Sequence, residues 1–355
     1  MKDVVVIRRW LFTVCGLIVF MVLFGGYVRL TRSGLSIVEW NPISGVIPPI
    51  GEAQWQAEFA KYQQTPEYQF INTEMTLAEY KFIFYNEYIH RLVARFAGLI
   101  VAVPLFVFVA KGIIPWRKSG FYWLVVILFG AQGVMGWYMV SSGLEDIPAV
   151  SHFRLTIHLL LALLLLSMAF WQALRLGAPD RPRQKSPLNW VMGLVIGLVV
   201  VQISYGGLVA GLKAGHVSAT WPLMFGYWVP PGLLSVMQPW WRNLIESLPA
   251  VHFVHRWFAF VVLTAVLILY YLVQNRTDAP HLRRSLLWLI GIVVTQITLG
   301  VTVIWFHVHI VLALSHQGTA LILYLMALYV AYQIGHVPAR QTAVNPTTPQ
   351  AQAAL

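Results

Sequence analysis

Charge is what this sequence has least of: 10% of its 355 residues are Asp, Glu, Lys or Arg, while 58% are hydrophobic. Soluble domains carry about 25% charged residues, so a water-solvated globule is excluded as the architecture. Cysteine is nearly absent. The single Cys15 excludes an intrachain disulfide framework, a thiolate metal cage and a cysteine-linked cofactor. Acids are scarce too, 13 against 24 basic residues, for a formal net charge of +11. Such a charge is a common mark of nucleic-acid binding, but here the basic residues lie in segments between apolar runs, so no nucleic-acid partner is needed to explain it. Disorder is excluded except in the polar tail, residues 338–355.

What is present is a series of apolar runs, near residues 10–28, 89–110, 121–140, 153–174, 188–209, 252–273, 285–305 and 312–334. At about 1.5 Å per helical residue each is long enough to cross about 30 Å of hydrocarbon. They lack barrel alternation, and only helices or closed barrels satisfy a backbone in lipid. The chain is therefore read as an all-α integral membrane protein with eight transmembrane helices and the lipid bilayer as its first partner. Lys2, Arg8 and Arg9 before the apolar core resemble a signal peptide, but the core from Trp10 to Val28 spans, so it is read as a retained first helix. No organelle transit pattern precedes it.

With the N-terminus in the cytoplasm, fourteen of the 24 basic residues and three of the 13 acids fall on the cytoplasmic side. The whole net charge is then cytoplasmic, as positive-inside orientation requires, and both termini are placed there. The cytoplasmic loops are short. Residues 31–89 form a long, Glu-rich outer segment, and residues 210–250 a second one rich in Trp, Pro and Gly. Chemistry is expected near the outer face.

The sequence matches itself at an offset of about 160 to 180 residues. FGGYVRLTRSG at 24–34 corresponds to YGGLVAGLKAG at 205–215, and EYIHR at 87–91 to HFVHR at 252–256. Trp40 falls on Trp221, Gln132 and Gly136 on Gln296 and Gly300, and His158 near His316. Four spans return the chain to its starting side, so the repeat implies two tandem, same-orientation four-helix bundles. Their bounds are taken as residues 1–180 and 181–337, followed by a disordered cytoplasmic tail at 338–355. Gly130, Gly133 and Gly136, and Gly193 with Gly197, are read as marks of close helix packing.

His90, His158, His255 and His316 lie within spans two, four, six and eight, each within a turn or two of the outer end. A lone histidine there is an interfacial or helix-to-helix hydrogen-bonding residue. Four at one depth, two per half, point instead to metal ligation. Two imidazoles from facing helices are what a haem iron needs, which pairs His90 with His158 and His255 with His316. Zinc and copper also accept imidazole, and His152, His252, His307 and His309 leave a second metal open. Arg91 and Arg256 directly follow two of the ligand candidates and are read either as haem-propionate contacts or as interfacial anchors. Glu87 lies one turn before His90, where the other half has His252. It is read as a catalytic acid/base or cation stabiliser, with a dipole-stabilising helix-end carboxylate as the alternative.

NEYIHRLVARFAG, GGYVRLTRSGLSIVEWNPISGVIPP, GGLVAGLKAG followed by TWPLM, HFVHR and SHQ together resemble the heme A synthase family, from about Gly25 to Tyr329. The chain lacks a cysteine pair in its first outer loop, as does the proteobacterial and mitochondrial-type group. With no transit pattern, that implies the bacterial inner membrane. The resemblance implies an oxidoreductase of haem A biosynthesis that converts the C8 methyl of haem O to a formyl group through an alcohol. It places substrate haem O on His90 and His158 with Glu87 near the reacting methyl, and an electron-relaying haem b on His255 and His316. The farnesyl tail of haem O implies a site open toward lipid. In TWPLMFG at 220–226 this chain has Phe225 where relatives generally carry Asp, which implies a missing polar contact.

Two other readings stand beside this one. A di-haem b electron-transfer subunit accounts for the histidines but not for Glu87, and a haem transporter requires readily exchanged haem. Pathway logic adds a haem O synthase as partner. The electron acceptor, the oxygen source and homo-oligomerisation are left open by the sequence.

Overall fold

The computed structural model describes residues 2–41, 44–178, 186–275 and 279–336. The loop charges Asp180, Arg181, Arg183, Lys185, Arg276 and Asp278, together with Arg340 and the tail at 338–355, lie outside the described residues. Eleven α-helices are present among the described residues: α1 (Lys2–Leu30), α2 (Glu52–Tyr62), α3 (Pro66–Phe70), α4 (Leu77–Ala110), α5 (Gly120–Ser141), α6 (His152–Gly177), α7 (Pro187–Leu212), α8 (Asn243–Glu246), α9 (Leu248–Val273), α10 (Pro280–Trp305) and α11 (Ile310–Ile334). Those described residues form no β-strand. Eight of the helices, α1, α4, α5, α6, α7, α9, α10 and α11, are long and apolar enough to cross a membrane, one for each predicted run.

Two helices start well before their apolar runs. α1 begins at Lys2, and α4 begins at Leu77, twelve residues ahead of its run. The cause at α4 is a capping box: Thr76 Oγ1 accepts from Glu79 N at 3.3 Å, and the Glu79 carboxylate accepts from Thr76 N at 2.8 Å. Hydropathy does not register a polar helical extension outside the lipid. Proline in the first turn opens α7, α9 and α10, where its missing N–H costs nothing.

α1 packs on α4, α6 and α11, and α7 packs on α9, α11 and α6. One apolar core unites α1, α4, α5 and α6 through Leu11, Val14, Leu105 and Leu166, and extends to Leu321 and Tyr324 of α11. A second joins α7, α9, α10 and α11 through Val195, Val266, Leu286 and Ala327. The doubled glycines explain how the helices approach. A Cβ at Gly207 would lie 2.9 Å from Thr156 Oγ1 on α6, and one at Gly26 would collide with the amide of Gln317 on α11. Gly130, Gly133, Gly193 and Gly197 do not behave as expected: a Cβ at any of them meets nothing within 4 Å. Close packing falls to Gly136 alone among those five, because the others face away from neighbouring helices.

The long outer loop is folded. An aromatic cluster of Trp55, Phe59, Tyr62, Tyr80 and Phe84 clamps α2 onto the outer turns of α4, with Tyr62 stacked on Tyr80 at 5.0 Å between ring centroids. Tyr80 Oη donates to Ser36 O, which fixes the stretch of chain leaving α1 against the same helix. In the second outer loop Met224 and Tyr227 exchange both backbone hydrogen bonds around Phe225 and Gly226, at φ 55° and 83°. A tight turn with two left-handed central residues favours Asp-Gly or Asn-Gly, so a backbone reason joins the polar one for an Asp where this chain has Phe225.

Candidate haem-ligating site

Each of the four membrane histidines lies over a glycine of an adjacent helix. A Cβ at Gly25 of α1 would sit 3.2 Å from His90 Nε2, and one at Gly136 of α5 would sit 3.2 Å from His158 Cε1. The corresponding distances are 3.4 Å from Gly206 of α7 to His255 Cε1 and 3.1 Å from Gly300 of α10 to His316 Cε1. The approaches at Gly25, Gly136 and Gly300 are tighter than ordinary van der Waals contact, so a side chain there would press on an imidazole, while that at Gly206 is in ordinary contact. Helix pairs α1–α4, α5–α6, α7–α9 and α10–α11 thus use one device.

Glutamines hold three of the rings. Gln132 Nε2 donates to the His158 carbonyl at 3.0 Å, and Gln202 Nε2 to the His255 carbonyl at 2.9 Å. Gln202 Nε2 also lies 3.2 Å from His255 Nδ1, and Gln296 Nε2 lies 3.2 Å from His316 Nε2. The matching residue four before Gly25 is Met21, and where the other rings meet a glutamine amide His90 meets the Met21 backbone. Sequence reading misses Gln202, although its place four residues before the glycine that faces His255 is a usable signal.

The donor set fits a haem iron. Nδ1 of His158 and of His316 is buried with no hydrogen-bond partner among the described residues, so each ring brings an unused nitrogen to the site. The rings of His255 and His316 are 6.3 Å apart between centroids and nearly perpendicular. A metal bonded at about 2 Å to a nitrogen of each ring holds the centroids about 6 Å apart. His90 and His158 lie within electrostatic reach of one another. No group of three or more His, Cys, Asp or Glu side chains comes together among the described residues, so His152, His252, His307 and His309 are not assembled into a further metal centre there.

Glu87, 3% exposed, accepts five hydrogen bonds. Its Oε2 takes Ser36 N at 2.8 Å, Ser36 Oγ at 2.8 Å and Ile37 N at 2.9 Å, while Oε1 takes Arg91 Nε at 3.0 Å and Nη2 at 2.6 Å. Arg91 also donates to the carbonyls of Ile37 and Glu39, at 2.9 and 3.0 Å. The second half repeats this construction. Arg256 donates to the carbonyls of Ser218 and Thr220, each at 2.8 Å, and its Nε donates to His252 Nε2 at 3.1 Å. Both arginines therefore pin the loop that follows α1 or α7 to the helix carrying a candidate ligand. Only the acceptor differs, a carboxylate in one half and an imidazole in the other.

A second acid lies nearby, unforeseen in the sequence. Glu67 of α3 is 5% exposed, and its Oε2 has no hydrogen-bond partner among the described residues. Burial, aided by the charge of Glu87, pushes its carboxyl up to about 7, against the opposing pull of Lys213 and Arg32.

Comparison with known proteins identifies the family. A family model described as cytochrome oxidase assembly protein, COX15-CtaA, matches residues 8–328. The heme A synthases of Brucella ovis and Brucella abortus are each 43% identical over 327 residues, covering 90% of this chain and 89% of theirs. That of Brucella anthropi is 43% identical over 329 residues, 90% of each chain. A family match running through both outer loops and all eight membrane helices makes this chain a member of the COX15-CtaA family.

Proposed function

We propose that this chain is an oxidoreductase that makes haem A, oxidising the C8 methyl of haem O to a formyl group through an alcohol. The observation that carries the reading is four glycine-seated imidazoles near one end of the helices, with an acid beside only one pair. The similarity to proteins named heme A synthase supports it. In this reading residues 1–180 form the substrate half and residues 181–337 the haem b half, in a bacterial inner membrane with both termini cytoplasmic. A haem O synthase supplies the substrate.

His90 and His158 hold haem O by its iron, and His255 and His316 hold haem b. When bound, haem b supplies a one-electron relay. Gly25, Gly136, Gly206 and Gly300 give the imidazoles room, and the glutamines fix ring orientation. Glu87 places a carboxylate one turn from His90, ion-paired to Arg91, so it acts on cationic character at the reacting carbon as one end of a neutral pair. Its oxygens are engaged by five donors, so accepting a proton requires that network to open. Glu87 therefore acts through its pair with Arg91 and its hold on residues 36–37. Arg91 and Arg256 keep the two loops closed over the ligand-bearing helices.

The test is haem extraction with chromatography and mass spectrometry from cells making haem O, with and without this chain. Haem A or its alcohol precursor is expected with the wild type and is lost in Glu87→Gln. Unchanged haem O, beside a purified bis-histidine haem b protein supplied with its redox partners, replaces this reading with the electron-transfer one.

A further inference from the structure

Ten basic residues lie on the outer side in the predicted topology, and seven of them are engaged. Lys61 pairs with Glu39 and Glu58, Lys81 lies over Trp55, and Arg242 pairs with Glu246. Arg91, Arg95, Arg154 and Arg256 donate to carbonyl oxygens. The other three, Arg29, Arg32 and Lys213, make no ion pair or side-chain hydrogen bond among the described residues. These three lie within electrostatic reach of one another and of His216. Several like charges gathered at one point face a single acid, the buried Glu67. Arg32 and Lys213 are exposed and Arg29 is half-buried, so the group presents an accessible cationic surface that favours an anion from outside the chain.

The backbone points the same way. Arg32 and Lys213 are equivalent in the repeat, both seven residues after a glycine that faces a candidate ligand histidine. Both end their helix in the left-handed region, at φ 53° and 56°. After α1 the closure is a Schellman motif, with Ser33 N donating to Val28 O at 2.9 Å and Arg32 N to Arg29 O at 3.1 Å. Glycine adopts that conformation at least cost. A long basic side chain at both sites is kept against the backbone preference. Arg29 lies four residues after Gly25, on the same face of α1 and one turn nearer the outside. Arg91 and Arg256, the arginines adjacent to ligand candidates in sequence, have their guanidiniums on loop carbonyls.

We propose that Arg29, Arg32 and Lys213 form a carboxylate seat at the outer ends of α1 and α7 that receives the propionates of bound haem. The proposal rests on the haem reading of the four histidines. A phospholipid phosphate shares the required chemistry, so the experiment separates the two sources.

Full-length protein is produced haem-poor, reconstituted in phosphatidylcholine nanodiscs, and titrated with haem b or with haem b dimethyl ester, following the Soret band. The wild type is expected to bind haem tenfold or more tighter than the ester, since charge-assisted hydrogen bonds are lost with the charge. Arg32→Gly with Lys213→Gly removes two of the charges while giving the backbone its preferred residue, so folding is spared. That variant is expected to bind haem and ester within about threefold of each other, with ester affinity unchanged. Full discrimination in the variant overturns the seat, as does a wild type that binds both alike. A variant that keeps discrimination but, in nanodiscs containing phosphatidylglycerol, binds less of that lipid than the wild type assigns the cations to lipid and also overturns it. A wild type with no bis-histidine spectrum on either ligand removes the haem reading itself, a result distinct from failure of the seat alone.

Discussion

Neutralising Glu67 is expected to stabilise the protein at alkaline pH and to change little at acid pH. The carboxyl goes from an ordinary value of 4.5 up to about 7 in the folded protein. A raised acid favours its protonated form in the fold, so its stabilising effect is complete below pH 4.5 and is lost as pH rises through 7. Each pH unit separating the two values is worth about 1.4 kcal/mol, so the fold gives up roughly 3 kcal/mol by pH 8, most of it between pH 5 and 8. Glu67→Gln has no such dependence. Thermal unfolding in detergent reports the difference through Cys15, the only thiol, which is 6% exposed in the fold and reacts with a fluorogenic maleimide once the helices separate. The variant is expected to melt close to the wild type at pH 5 and several degrees higher at pH 8. The difference between the two proteins is the informative quantity, because other groups titrate in both. Parallel curves across that range, or a wild type that gains on the variant at pH 8, refute the assignment of a buried, near-neutral acid at this position.

Three further outcomes follow from the same geometry. Gly25→Ala and Gly300→Ala, whose new methyls would meet an imidazole at 3.2 and 3.1 Å, are expected to lower haem occupancy, while Gly130→Ala, with open space around it, is expected to leave the haem-to-protein ratio unchanged. Arg91→Met is expected to cost more than Arg256→Met in melting experiments, roughly 3–5 kcal/mol, because it leaves the buried Glu87 charge unpaired where the other leaves a neutral imidazole. Exchanging the acceptors, by His252→Glu or Glu87→His, is expected to move the reduction potential of the neighbouring haem down or up respectively by about 50–100 mV, taking an effective dielectric of about 20 and a separation of about 10 Å; redox titration with no shift in either variant refutes the charge argument.

The helices were legible because hydropathy over twenty residues reports lipid burial directly. Their polar ends were not: the start of α4 is set by Thr76 and Glu79, a local signal outside the apolar run. The four histidines were legible from spacing, but what holds them was only half so. Gln132 and Gln296 fall in register in the repeat, while Gln202 has no counterpart and so leaves no trace in a self-comparison. Glycine readings divided by orientation. Gly136 faces a ring and Gly130 faces open space, although the two lie only six residues apart on one helix. The arginine contacts were the least readable, since adjacency to a histidine in sequence says nothing of the direction a side chain takes. Arg91 and Arg256 reach back to loops more than thirty residues away, which only the folded outer segment brings near.

The duplication narrows the question of why two similar sites would behave differently. Arg91 and Arg256 grip carbonyls at equivalent places, Ile37 and Glu39 in one loop and Ser218 and Thr220 in the other, each pair 181 positions apart. With the scaffold held constant, three differences stand out near the ligands: Glu87 for His252, Met21 for Gln202, and Arg29 for Ala210. The guanidinium of Arg91 is balanced by a carboxylate, whereas that of Arg256 faces an imidazole that accepts its hydrogen bond and is therefore neutral. Of these two helix-to-loop pins, the first is a neutral ion pair and the second carries one positive charge. A fixed cation favours the more electron-rich state of whatever it adjoins, so the Arg256 pin alone would raise the potential of a haem on His255 and His316, while Arg29, where the second half has Ala210, opposes that difference from the first half. The proposed placing of substrate in the first half draws support from the pins once the propionates of the proposed seat offset Arg29 and Arg32.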